Sequence, residues 1–194
     1  NAMAWYPGKP LQDPFDGLRD LKRGLIRCVG DPHERFQEDA LRILRAMRFI
    51  ARFGFPAEEN TRAAMHRMRT RTQMISRERI CAEMRSILLG HYAAEVLTQY
   101  SDISFSAIPL FTDSEQTRMI SRVHGIRRID PCDLSVRCAC ILSVLPLNRI
   151  ALCMDYLHVS NHFRKTLLFL TENCALPIRH GELALCLSQY GEEN

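Results

Sequence analysis

The sequence lacks most features that would assign it to a familiar class. It has one tryptophan in 194 residues, no C-x-x-C pair, no D-x-D pair and no His-Asp dipeptide. No apolar stretch approaches the roughly 20 residues a membrane helix needs, and no signal-peptide pattern opens the chain. The longest apolar run, Cys138 to Leu147, suits a buried helix, so a soluble, cytoplasmic protein with no membrane partner is expected. The eight cysteines (28, 81, 132, 138, 140, 153, 174 and 186) sit inside apolar helical patterns. Zinc would need tighter ligand spacing and a disulfide scaffold a smaller chain, so reduced, buried thiols are expected and no metal is. His158 and His162 are four apart, but Ser160 between them reads as a helix start rather than part of a metal site.

What is present is helical periodicity and arginine. Hydrophobic residues make up 46% of the chain and charged residues 25%, enough apolar matter for one good core or two small ones. From Arg19 to Arg85 there are 16 Lys and Arg against 9 Asp and Glu, a net +7; the residues before sum to −1 and those after to −2. A basic third of this kind, almost all arginine, suits a polyanionic partner.

Residues 1 to 32 are broken by Pro7-Gly8, Asp13-Pro14, Asp16-Gly17 and Gly30-Asp31-Pro32, which predicts turns, with Leu25, Ile26, Cys28 and Val29 as the best strand. From residue 33 the pattern predicts helices near 33–53, 60–72, 76–90, 91–101, 113–124, 133–146, 147–157, 160–173 and 179–189. The fold class is therefore all-α: a 1–32 arm, a helical unit over 33–90 and a second over 91–194. Asn1-Ala2-Met3 opens abruptly, as native sequence or a tag remnant would, and suggests a chain cut from something longer.

The segment Arg35 to Phe49 carries the chemistry. On one continuous helix, Phe36, Ala40, Ile43, Leu44, Met47 and Ile50 form a single apolar stripe. Arg35, Glu38, Arg42, Arg45, Arg48 and Arg52 fall on the opposite side, with Asp39 at its edge one turn from Arg42. An Asp39–Arg42 pair could be an ordinary surface ion pair, worth a few tenths of a kcal/mol. It could also read a base. Adenine and cytosine present an amino donor beside an unprotonated ring nitrogen. A carboxylate accepts from the first while a guanidinium donates to the second. Guanine and uracil would face the carboxylate with a carbonyl, leaving buried acceptors unpaired. Arg62, Arg67, Arg69 and Arg71 form a second basic patch, either an RNA-backbone contact or a solvated helix end. Arg79 and Glu83, four apart, suggest a structural pair.

Three ordered stretches, Asp13-Pro14-Phe15-Asp16-Gly17-Leu18-Arg19-Asp20-Leu21, Ile26 to Pro32 and Arg35 to Phe49, resemble the class II tRNA nucleotidyltransferase and bacterial poly(A) polymerase family. The resemblance continues through Arg52-Phe53-Gly54-Phe55 and Ile75 to Met84. It implies that Glu38, Asp39 and Arg42 are the family's E-D-x-x-R motif, with Asp39 and Arg42 pairing with CTP or ATP and Glu38 holding the arginine. Arg35 and Arg45, on the same face, join them as nucleotide-binding candidates; Arg67, Arg69 and Arg71 are the RNA-binding candidates. It further implies a neck over 33–90, a body and tail gripping the tRNA acceptor arm, and a parent enzyme that adds CCA with Mg²⁺. Asp16 stands where the family has glycine, which a turn tolerates because Asp accepts unusual backbone angles. The family's metal-binding head would lie upstream of Asn1, so this chain alone is expected to bind no Mg²⁺ and to be inactive. A poly(A) polymerase and a free-standing RNA-binding module are the alternatives.

Overall fold

The computed structural model describes residues 3–131 and 133–173. Eleven α-helices run along those residues: α1 Gly17–Arg23, α2 Pro32–Glu38, α3 Leu41–Phe53, α4 Glu59–Arg67, α5 Arg77–Leu88, α6 Ala93–Gln99, α7 Ser101–Ala107, α8 Asp113–Val123, α9 Leu134–Leu142, α10 Leu147–Tyr156 and α11 Asn161–Asn173. Two 3₁₀ turns, Arg69–Met74 and His124–Arg128, follow α4 and α8. Among the described residues extended pairing is limited to two isolated bridges, Ala4 with Gln12 and Ile26 with Ala57. The all-α expectation holds; the strand expected around Leu25–Val29 reduces to the single Ile26 bridge. The helix predicted at 179–189, and Cys132, Cys174 and Cys186, lie outside the described residues.

Local chemistry explains where these helices begin and end. The Asp13 carboxylate accepts from the backbone N–H of Gly17 at 2.7 Å and Leu18 at 2.9 Å, opening α1 in the arm where only turns and strand were expected. Asp16 sits at φ 58°, the left-handed angle that aspartate tolerates better than most residues. Asp31 caps α2 through His33 and Glu34, with Pro32 in the first turn. Thr112 and Glu115 close a capping box on α8, and Asp133 and Ser160 cap α9 and α11. The span predicted as one helix over 60–72 breaks at Met68, beyond which Thr72 Oγ1 donates to Arg69 O at 2.6 Å and the chain tightens into a 3₁₀ turn. Helix α7 was not foreseen, its seven residues being too few to set a period.

Helix α3 is the hub. It packs against α5 more extensively than any other pair of elements and also touches α2, α6 and the Arg69–Met74 turn. The predicted apolar stripe is all buried, its most exposed member being Ala40 at 8%. Buried side chains from Phe36 to Leu170 form one continuous cluster, so the segments either side of residue 90 share a core. Two glycines permit the α3–α5–α6 corner. Gly54, at φ 71°, ends α3 by donating to Ile50 O, and a Cβ there would lie 2.6 Å from the Tyr92 ring. A Cβ on Gly90 would lie 2.5 Å from Ala51 O.

Gly54→Ala is expected to lower stability by about 2 kcal/mol or more, from the left-handed angle plus the clash. Urea denaturation checks this; a loss under about 0.5 kcal/mol would mean that Tyr92 moves aside freely. A second outcome concerns the α8 capping box. Hydrogen bonds from Arg149 (2.9 Å) and Thr112 hold Glu115 down to about 2, against an ordinary value of 4.5. Its contribution is therefore complete above pH 4.5 and is lost as the pH falls from there towards 2. Glu115→Gln should flatten that part of the stability profile, measured as urea midpoint against pH, while an unchanged slope would remove Glu115 from the account.

Candidate functional site

The continuous 33–53 helix expected from the sequence is interrupted at Asp39. The Asp39 N–H still donates to Arg35 O at 3.2 Å, closing α2, but its backbone is extended at φ −146° and ψ 103°. Its Oδ1 then accepts from the Leu41 N–H at 3.0 Å, and its carbonyl accepts from the Arg42 N–H at 3.1 Å. One aspartate thus ends α2 and starts α3. The cause is the short carboxylate, which competes with the backbone for N–H groups wherever it can reach them. Asp39 and Arg42 remain three residues apart, but they straddle a corner instead of sharing a regular helical turn.

Each member of the expected pair has another partner. Asp39 Oδ2 accepts from Arg79 of α5 at 3.1 Å, and Arg42 lies 3.3 Å from Glu38. Glu38 also accepts from Arg35 at 2.9 Å, so it holds two guanidinium groups side by side. That bond raises the Arg35 pKa and keeps the group charged. The expected Arg79–Glu83 pair does not form. The four-residue spacing instead places both on the side of α5 that faces α3, Arg79 on Asp39 and Glu83 between Arg45 (3.5 Å) and Arg48 (3.2 Å). Glu83 is buried, a position a carboxylate holds only when cations surround it. Periodicity could place these two acids and three arginines on their helices; pairing them needed the crossing of α3 over α5.

Arg35, Arg42 and Arg45 line one cleft of about 380 Å³, with Phe15, Cys28 and Phe49 among its other walls. Asp39 is not among them. Burial pushes the Cys28 thiol up, although Arg42 and Arg35 pull it down, so it stays protonated at neutral pH. Beyond Phe49 the same side of α3 becomes aromatic. Phe49 and Phe53 stack nearly parallel at 6.3 Å, Phe55 lies 5.8 Å from Phe53, and the Arg48 and Arg52 guanidinium groups lie over the first two rings. The second basic patch is divided. Arg67 and Arg69 are exposed, Arg69 lying 3.8 Å from Asp102, whereas Arg71 turns inward and donates to Gln37 O at 2.9 Å, bracing the end of α2 beside Asp39. Arg62 is paired with Glu59. His158 bonds Glu78 at 2.8 Å. Among the described residues no three His, Cys, Asp or Glu side chains come together in a way that could hold a metal ion.

What this arrangement offers chemically is a rigid corner bearing one hydrogen-bond acceptor and several planar donors. Residues 54–103 match the family described as the probable RNA and SrmB-binding site of polymerase A. The CCA-adding enzyme of Limosilactobacillus fermentum is 50% identical over 90 residues, which cover 46% of this chain and 22% of that protein. The CCA-adding enzyme of Anoxybacillus flavithermus is 37% identical over 123 residues, covering 62% of this chain and 31% of that one. The chain therefore spans about a quarter of the length of these curated relatives. In fold it is similar to a tRNA-processing enzyme in an apo form, with a TM-score of 0.66 at 24% identity over 84% of this chain and 49% of the other. It is also similar to a tRNA nucleotidyltransferase solved with a primer tRNA and an incoming ATP analog, with a TM-score of 0.64 at 23% identity over 86% and 52%. Over 90 to 123 residues the chain is similar in sequence to CCA-adding enzymes, its residues 54–103 match the polymerase A segment, and over most of its length it shares the fold of these tRNA-processing enzymes.

Proposed function

We propose that this chain is the nucleotide-selecting and RNA-holding region of a tRNA nucleotidyltransferase that adds CCA to tRNA 3′ ends from CTP and ATP. The observation that carries this is the fixed corner at residues 38–42. Asp39 keeps acceptor capacity, because each carboxylate oxygen accepts two hydrogen bonds and its two known donors use one apiece. It accepts from the exocyclic amine of cytosine or adenine, while Arg42, steadied by Glu38, donates to the adjacent ring nitrogen. Guanine and uracil place a carbonyl against the carboxylate and are rejected by the cost of burying two acceptors face to face. Arg35 and Arg45 flank the cleft and complement the triphosphate charge.

No step in nucleotidyl transfer is assigned to the described residues, which bind and orient. In the whole protein Mg²⁺ would supply activation of the 3′-hydroxyl and neutralisation of the triphosphate. The RNA-holding role falls to Arg67 and Arg69 on the exposed part of the basic patch, with Arg71 bracing the corner from within. Specificity for ATP alone is the second reading, favoured by the polymerase A description of the matched segment. CTP incorporation by the full-length protein separates the two.

In the full-length protein, Asp39→Ala and Arg42→Ala should each reduce discrimination of CTP and ATP against UTP and GTP by roughly 10- to 100-fold, as loss of one oriented base contact implies. Unchanged nucleotide choice in kcat/KM measurements would remove the base-reading role. Binding of tRNA to this chain should weaken with salt. Replacing Arg67 and Arg69 by alanine should make the log–log slope shallower by about 0.7–0.9 per lost phosphate contact. An unaltered slope in filter-binding titrations would move the RNA site elsewhere.

A further inference from the structure

A second concavity lies away from the arginine cleft, between α5, α7, α8, α9 and α10. It has a volume of about 120 Å³. Its lining is apolar apart from Ser104, whose hydroxyl already donates to Tyr100 O at 3.2 Å. A water molecule needs two to four polar partners to be held in such a place, and none is on offer. The two thiols that reach it do not change this. Burial pushes Cys138 and Cys153 each up to about 12, so both stay neutral and poor as partners for water. The space is therefore dry or filled by something apolar.

Its walls are also unusual in kind. Five of the lining side chains carry sulfur: Met84, Met119, Met154, Cys138 and Cys153. Sulfur is polarizable and makes favourable contacts with ring edges, at about 5 Å from the ring. Phe105 and Phe111, which meet edge to face at 6.1 Å and 77°, form another part of the wall and are only partly buried. An edge-to-face pair leaves a ring face and a ring edge available to a third aromatic group. Volume sets the upper size, since a comparable apolar space of about 150 Å³ in another protein stays dry and takes up benzene or xenon. A fused ring system, or a ring bearing a charge, does not suit a site with neither the room nor a counter-charge.

We propose that the space between α5 and α8–α10 is a binding site for one small, uncharged, single-ring aromatic molecule. This site is separate from the nucleotide-selecting corner and does not depend on that function. The ligand is held by dispersion and by sulfur–ring contacts, with no hydrogen bond, and it bridges α5 to the later helices at the point where they meet.

The test uses the 194-residue chain with benzene as the probe and benzoate as its charged counterpart. Benzene at ten times its Kd should raise the melting temperature by about 3–6 °C and shift the methyl resonances of Met84, Met119 and Met154 saturably. Benzoate should do neither. Cys153→Leu fills the space and should abolish the benzene response while far-UV circular dichroism stays native. Cys138→Leu makes the same test from α9 should the first variant fail to fold. Absence of saturable methyl shifts, an equal response to benzoate, or an undiminished response in a folded filled variant would each overturn the proposal.

Discussion

Everything distinctive about this chain depends on one aspartate doing three things at a single corner. Asp39 ends α2 with its backbone N–H, starts α3 with one side-chain oxygen and ties that corner to α5 with the other. A residue that leaned into solvent could swing through several rotamers. This one is held at both oxygens, with about a third of its side chain exposed, so its remaining acceptor capacity has a fixed direction. Fixed direction is what base selection requires, because a mobile carboxylate would accept from any donor that came near.

The surrounding charges follow from the same arrangement. Helix α3 carries Arg45 and Arg48 on the side that α5 approaches, and α5 answers with Glu83, a buried acid between them. Glu38 binds Arg35 and Arg42 from the α2 side of the corner. Arg35, Arg42 and Arg45 are thus each steadied by an acid that serves two guanidinium groups, whereas Arg27, which also lines the cleft, is paired with Asp20 alone. The cleft keeps a net positive character suited to a triphosphate. Packing beneath is tight enough to hold this geometry: Ile43, Leu44 and Met47 are fully buried, and α3 meets α6 through two glycines that admit no side chain.

Much of this was legible in the sequence, and the losses have identifiable causes. Period 3.6 placed the apolar stripe of α2 and α3 correctly, because burial of Phe36, Ala40, Ile43, Leu44, Met47 and Ile50 depends only on which side faces the core. The same periodicity concealed the break at Asp39, since the stripe continues across the corner and pattern alone does not register a lost backbone bond. Asp-Ala-Leu, with aspartate two residues before a helical N–H, was the local signal for a cap. The arm hid α1 for the opposite reason: Asp13 caps it across a proline, where turn residues dominate the pattern. Pairing of Arg79 with Asp39 spans forty residues and follows from a helix crossing that no local spacing encodes. The Phe49–Phe53–Phe55 ladder and the Arg71 bond to Gln37 O were missed on the same ground.

The central claim, that Asp39 selects the base through an acceptor whose position its capping role fixes, is tested most directly by Asp39→Asn in the full-length protein. Asparagine keeps the oxygen that caps Leu41 and turns an amide donor to where the second acceptor was. The account predicts a folded protein, weakened by about 1 kcal/mol or less through the lost Arg79 contact, with its preference for CTP over UTP reduced in competition assays. Native preference for CTP over UTP in a stably folded Asp39→Asn variant would contradict it.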